Sequence, residues 1–128
     1  MLRRRGIQTW AAAGLAAIAL GAVAVPATGS GQADKTVKVT VADDFFAPTD
    51  LKLKKNSSVK WVWDSSNTNT HNVILTSKHP KDVKASDFRS SSGAVGISFK
   101  RKFKVPGKYG FICTYHRSEM KFGLTVKK

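Results

Sequence analysis

The sequence predicts an all-β sandwich of about seven to eight short strands. Apolar residues alternate with period two from Thr36 onward, clusters of turn-forming residues separate the alternating runs, and no stretch keeps the 3.6-residue period of a helix. In Val37-Lys-Val-Thr-Val41 the valines share one face, and Lys38 and Thr40 share the other. Leu51-Lys-Leu53 and Val59-Lys-Trp61-Val-Trp63 repeat the pattern. The later runs are His71-Asn-Val-Ile-Leu75, Phe99-Lys-Arg-Lys-Phe103, Tyr109-Gly-Phe-Ile-Cys113 and Phe122-Gly-Leu-Thr-Val126. Between them lie Ala47-Pro-Thr-Asp50, Asn56-Ser-Ser58, Asp64-Ser-Ser-Asn67, Ser90-Ser-Ser-Gly93 and Pro106-Gly107, all rich in residues that favour turns. Residues 77–96 are the longest irregular stretch, with a short helical turn expected around Val83–Phe88. Lys100, Lys102 and Lys104 form an outward row that also discourages edge-to-edge pairing.

The 128 residues suit one domain, and a hydrophobic fraction of 41% with 23% charged residues is that of a globular chain. This size excludes large multidomain enzymes and leaves little room for a two-substrate cleft, so the chain reads as a non-enzyme. A single cysteine excludes an intramolecular disulfide.

Residues 1–33 hold no Asp or Glu. They open with Arg3, Arg4 and Arg5, continue through an apolar run from Trp10 to Val25, and end in the small, polar Ala27-Thr-Gly-Ser-Gly-Gln-Ala33. These are the charged, apolar and cleavage regions of an export signal. The apolar run is shorter than the roughly 20 residues of a membrane span, so cleavage is favoured over a retained anchor. The expected location is therefore outside the cytoplasm, in a periplasm, at the cell surface or secreted. Of the chain's 22 Lys and Arg against 8 Asp and Glu, the signal takes three arginines and no acid; 19 against 8 remain, a charge of +11. In an exported protein such charge points away from nucleic acid, and toward an acidic protein partner, anionic lipid headgroups or an anionic cell-surface polymer, with simple solubility the equal alternative.

The chemistry-bearing residues converge. Cys113, His116 and Met120 follow the spacing C-x2-H-x3-M, after one predicted strand and before the next. Cys113 shares parity with Tyr109 and Phe111, and His71 with Val73 and Leu75, so both are predicted to face inward at strand ends. A thiolate, two imidazoles and a thioether make a soft donor set. It suits copper, and His2Cys with a long axial Met is the arrangement of blue electron-transfer sites. Structural zinc favours paired Cys or His, and a nucleophilic Cys113–His116 pair lacks an evident acid to orient the histidine.

These residues, together with Phe46-Ala-Pro48, Val59-Lys-Trp61, Thr70-His-Asn-Val73 and Pro106-Gly-Lys-Tyr-Gly-Phe-Ile-Cys-Thr-Tyr-His116, resemble the small cupredoxins of the plastocyanin, pseudoazurin and amicyanin group. The resemblance covers roughly residues 36–127. It implies a Greek-key β-sandwich over residues 34–128 that holds one copper ion, cycling between Cu(I) and Cu(II), and carries single electrons between redox proteins. It further implies His71, Cys113 and His116 as equatorial ligands, Met120 as the axial one, and His116 as the ligand at the surface. Asn72 would match the asparagine whose backbone amide donates to the cysteine sulfur and ties the ligand loops together. Tyr115 stands where many members have proline, and Glu119 is the competitor of Met120 for the axial position. The leading expectation is thus an exported, monomeric one-electron carrier. The alternatives are copper storage or delivery, and a metal-free basic sandwich that binds anionic surfaces.

Overall fold

Trp61, Phe103, Phe111 and Phe122 occupy inward positions on four different strands, and burying them dictates two facing sheets. The computed structural model describes residues 35–128; the expected export segment lies outside the described residues. Eight strands are present: β1 (Thr36–Ala42), β2 (Phe45–Ala47), β3 (Asp50–Lys54), β4 (Ser57–Trp63), β5 (Ile74–Leu75), β6 (Ser98–Phe103), β7 (Gly107–Ile112) and β8 (Lys121–Lys127). One sheet has the order β2-β1-β4-β6 and the other β3-β8-β7-β5, a Greek-key sandwich. β1 runs parallel to β4 and β3 parallel to β8, while the remaining pairs are antiparallel. A 3-10 turn, Ala85–Asp87, falls inside the expected helical turn.

The period-two reading holds residue by residue. Val39, Val41, Leu53, Val59, Trp61, Trp63, Tyr109, Phe111, Phe122, Leu124 and Val126 are buried, while Lys38, Lys60, Lys100 and Lys102 project outward. Trp61 sits at the centre, its ring 5.0 Å from Phe111, 5.5 Å from Phe99 and 5.7 Å from Phe122. These tilted and edge-on contacts are favoured arrangements for aromatic quadrupoles. The irregular stretch is pinned by Phe88, which stacks on Phe103 at 5.2 Å. The tight turn into β7 requires Gly107: its φ is 142°, and a Cβ there would meet the Pro80 ring at 2.6 Å.

Two elements differ from expectation. Phe45–Ala47 forms a strand, and Phe46 is buried, although three residues are too few for alternation to show. The run His71–Leu75 is strand only at Ile74–Leu75; His71 instead makes an isolated bridge with Gly93.

Lys38, Lys60 and Lys100 stand directly opposite one another across β1, β4 and β6. Like charges so placed repel. Trp61→Ala should therefore cost about 3–5 kcal/mol in denaturant unfolding, whereas Lys60→Ala, on the other face of the same strand, should be neutral or slightly stabilising.

Candidate metal centre

Two loops and two strand ends converge at one edge of the sandwich. β7 ends at Ile112, so Cys113 is the first residue beyond it and keeps the inward parity of Tyr109 and Phe111. The segment that follows turns back tightly. The His116 N–H donates to the Cys113 carbonyl (3.2 Å), the Met120 N–H to the His116 carbonyl (2.9 Å), and the Cys113 N–H to the Met120 carbonyl (3.1 Å). This closed loop holds Cys113, His116 and Met120 together and delivers the chain into β8.

His71 arrives from the long β4–β5 connection. Its N–H and C=O pair with those of Gly93 at 2.9 and 3.2 Å. The indole Nε1 of Trp63 donates to the Gly93 carbonyl (3.0 Å), with the His71 carbonyl at 3.3 Å. The Asn72 side chain then ties the two ligand segments together. Its Oδ1 accepts from the Thr114 N–H and its Nδ2 donates to the Thr114 hydroxyl, both at 2.8 Å. Among the described residues, this side-chain pair is the tie the structure shows at Asn72.

The result is a compact donor group. Cys113 Sγ lies 3.9 Å from His71 Nδ1 and 3.6 Å from His116 Nδ1, and one ligand atom from each residue fits within 4.8 Å of the others. Cys113, His71 and Met120 are fully buried, while the His116 side chain is 22% exposed. Met120 faces inward and Glu119 outward, because they are neighbours on a chain entering a strand. His79 takes no part in the group and bonds to the Pro80 carbonyl.

Each imidazole has a carboxylate near it that sequence reasoning missed, at hydrogen-bond distance for His71 alone. His71 Nε2 is 2.8 Å from Asp43 Oδ1, and His116 Nε2 is 3.9 Å from Asp44 Oδ1. Asp43 also accepts from the Thr68 N–H and hydroxyl and from the Asn69 N–H. The Thr68 N–H first, and then the His71 contact, hold its carboxyl far below the usual range, so it is an anion at neutral pH. An anion beside Nε2 fixes the tautomer: Nε2–H donates outward, and the Nδ1 lone pair faces the sulfur. A carboxylate behind a histidine in this way orients the ring and raises its basicity as a ligand. The signal for it in the sequence is the Asp43-Asp44 pair that directly follows β1; only the parallel pairing of β1 with β4 brings it beside His71.

The donor set fits copper. One thiol, two imidazole Nδ1 atoms turned toward its sulfur, and a buried thioether at the end of the same loop match a His2Cys site with an additional methionine. Asp43→Ala should lower metal affinity by roughly 10–100-fold in a competition titration. Unchanged affinity would mean that the bridge to Gly93 alone positions His71.

Comparison with known proteins agrees with this geometry. Residues 33–127 match the family model of copper binding proteins, plastocyanin/azurin family. The amicyanin-alpha of Methylorubrum extorquens is 33% identical over 108 residues, covering 83% of this chain and 80% of that protein. The fold is similar to pseudoazurin from Methylobacterium extorquens AM1 (TM-score 0.59, 24% identity, 73% of this chain and 76% of that one). It is also similar to amicyanin from Paracoccus versutus (TM-score 0.58, 22% identity, 72% and 81%). A copper-containing nitrite reductase from Thermus scotoductus is similar in fold as well (TM-score 0.61, 21% identity); this chain spans 73% of its own length but only 22% of that larger protein. The chain belongs to the plastocyanin/azurin family of copper-binding proteins.

Proposed function

We propose that this protein is an exported one-electron carrier in which His71, Cys113 and His116 would hold copper, with Met120 as a weak fourth donor. The observation that carries the reading is the convergence of one buried thiol and two imidazole Nδ1 atoms at the end of a rigid sandwich, beside a buried thioether. Copper, when bound, supplies a couple between Cu(I) and Cu(II). The protein's part is to keep the donors still. Imidazole favours the higher oxidation state, and thiolate and thioether the lower. Strand ends, the closed Cys113–Met120 loop and the Asn72–Thr114 pair leave little for the donors to rearrange between the two states. Small reorganisation favours fast transfer. Burial of His71, Cys113 and Met120 keeps water from the site, and the partly exposed His116 offers the route outward.

The surface around His116 supports docking of a redox partner. The large hydrophobic side chains most exposed among the described residues are Phe45, Val95 and Tyr115. Phe45 follows Asp44, Tyr115 precedes His116, and Val95 lies two residues beyond Gly93, so all three sit on segments that adjoin the site. Asp44, Arg117 and Glu119 add charges of both signs nearby. An acidic partner is attracted at long range by the net charge and then meets an apolar rim. Residues 34–128 form the functional domain in this reading, and residues 1–33 direct export. A monomer suffices, since every donor comes from one chain. Storage or delivery proteins present mobile, exposed sulfur ligands, whereas here both sulfur residues are buried.

Copper(II) titration with visible spectroscopy tests the reading. Thiolate-to-Cu(II) charge transfer should colour the protein intensely, and Cys113→Ser should abolish the colour without unfolding the domain. A colourless copper complex of the unmutated protein would overturn the carrier reading.

Met120→Leu should keep the colour and raise the reduction potential, because loss of a weak axial donor disfavours Cu(II) more than Cu(I). Glu119→Gln should leave the potential in place. The opposite pattern would make Glu119 the axial ligand.

A further inference from the structure

The positive charge is not spread evenly. The β3–β4 turn staples the end of the sandwich opposite the metal centre. The Lys55 N–H donates to the Lys127 carbonyl (2.8 Å), the Asn56 N–H to the Phe103 carbonyl (2.7 Å), and the Ser58 N–H to the Lys35 carbonyl (2.8 Å). These bonds gather Lys35, Lys54, Lys55, Lys102, Lys104 and Lys127 at one end, all exposed. Side-chain acids are outnumbered at this end: Asp82 and Asp87 line a hollow together with Lys102 and Lys104, and Asp34 precedes Lys35 in the sequence. The remaining acids lie elsewhere: Asp43, Asp44 and Asp64 follow the far ends of β1 and β4, Glu119 is in the ligand loop, and Asp50 opens β3 at its distal end. The ion pairs among the described residues are the two His–Asp pairs; no lysine or arginine is in one.

Two other hollows at this end are lined by lysines and hydroxyls without a carboxylate. One, of about 460 Å³, is lined by Thr36, Asn56, Ser58, Lys100 and Lys102. The other, of about 180 Å³, is lined by Lys35, Lys52, Lys54 and Ser57 with Leu53. Ammonium groups beside hydroxyls are the donors that recognise a phosphate group. The chain also enters the domain at this end, through Lys35, directly after the segment whose Arg3–Arg5 and apolar run from Trp10 to Val25 have membrane-seeking chemistry.

We propose that the lysine end of the sandwich, opposite the copper centre, is a docking surface for a bilayer bearing anionic phospholipids. Headgroup phosphates occupy the two hollows, and His116 is held facing away from the membrane. Charge complementarity and the hydroxyl-lined hollows fit an anionic phosphate surface, and the point of chain entry, which an export segment brings to a membrane before cleavage, favours a lipid one over a soluble polyanion. The opposed Lys38–Lys60–Lys100 row adds to the attraction, because an anionic surface relieves its repulsion. Lysines near an anionic membrane each strengthen binding several-fold, within a screening length of about 8 Å at physiological salt. The inference does not depend on the electron-carrier reading, since it involves neither metal nor ligands.

The test is sedimentation of the full chain with vesicles of phosphatidylcholine alone, or of phosphatidylcholine with a third phosphatidylglycerol. Two variants of equal charge are compared, Lys54→Gln/Lys55→Gln/Lys127→Gln and Lys78→Gln/Lys81→Gln/Lys121→Gln. The N-terminal segment is common to both and cancels. The far-end variant should lose on the order of 100-fold in affinity for the anionic vesicles, and the second variant only a few-fold. Neither should change binding to neutral vesicles. Thermal melts check folding; the affected hydrogen bonds at Lys55 and Lys127 use backbone atoms and survive both sets of changes. Equal losses in the two variants, or no loss in either, would overturn the proposal. So would binding to soluble polyphosphate that depends on Lys54, Lys55 and Lys127 without any preference for anionic vesicles.

Discussion

The site depends on one reciprocal pair of hydrogen bonds, between the Asn72 side chain and Thr114. His71 and Cys113 belong to chain segments 42 residues apart, and no sheet ladder joins them directly, since β5 pairs with β7 only at Ile74 and Leu75. An amide side chain can both donate and accept, so Asn72 uses one group to fix the position and direction of Thr114. Such a pair, partly shielded from water, is geometrically demanding, and its loss would leave the Asn72 Oδ1 without its partner and the Nδ2 with only the longer 3.3 Å bond to the Ser92 hydroxyl. Around it, Trp63, Asn67 and Asp43 each bind backbone groups of a neighbouring loop. The donors are thus held by side chains that are not themselves donors.

That arrangement explains what the sequence reveals and what it conceals. Strand parity predicts the inward direction of Cys113 and His71, because alternation is a local property of the chain. The spacing of Cys113, His116 and Met120 within one loop is local too, as is the turn chemistry that separates the strands. The carboxylates behind the histidines are not legible in this way. Asp43 reaches His71 only because β1 lies parallel to β4, and parallel neighbours are joined by a crossover whose register no short pattern states. The strand Phe45–Ala47 is hidden for a related reason: its partner, β1, supplies the hydrogen bonds, while its own three residues carry almost no pattern. His71 departs from the expected strand because its backbone pairs with Gly93 instead of β7.

The two carboxylates also differ in ways that matter for the chemistry. Asp43 is saturated with donors and contacts the buried histidine at 2.8 Å, so it is a fixed support. Asp44 is exposed, sits in the left-handed backbone region at φ 73°, and lies 3.9 Å from the histidine that reaches the surface. A weak, solvated contact of that kind is screened and contributes little to stability. One histidine is therefore held firmly in the interior, and the other has a looser neighbour where a partner would approach.

Charge follows the same axis. The acids beside the histidines stand at the metal end, where the exposed Arg117 and Lys121 also lie without pairing to them. At the opposite end nothing needs an anion, and lysines accumulate without internal partners. Their mutual repulsion opposes the compact state, which the aromatic core around Trp61 is large enough to tolerate. The fold thereby separates two kinds of contact by the length of its strands. In the proposed reading an electron would cross at the apolar rim around His116, where desolvation is easy, while the cations would act over longer range at the far end. Placing both on one face would force a docking partner to strip water from ammonium groups before it could reach the imidazole edge, and burying unpaired charge is costly. The strand-length separation avoids that cost and gives the molecule a direction.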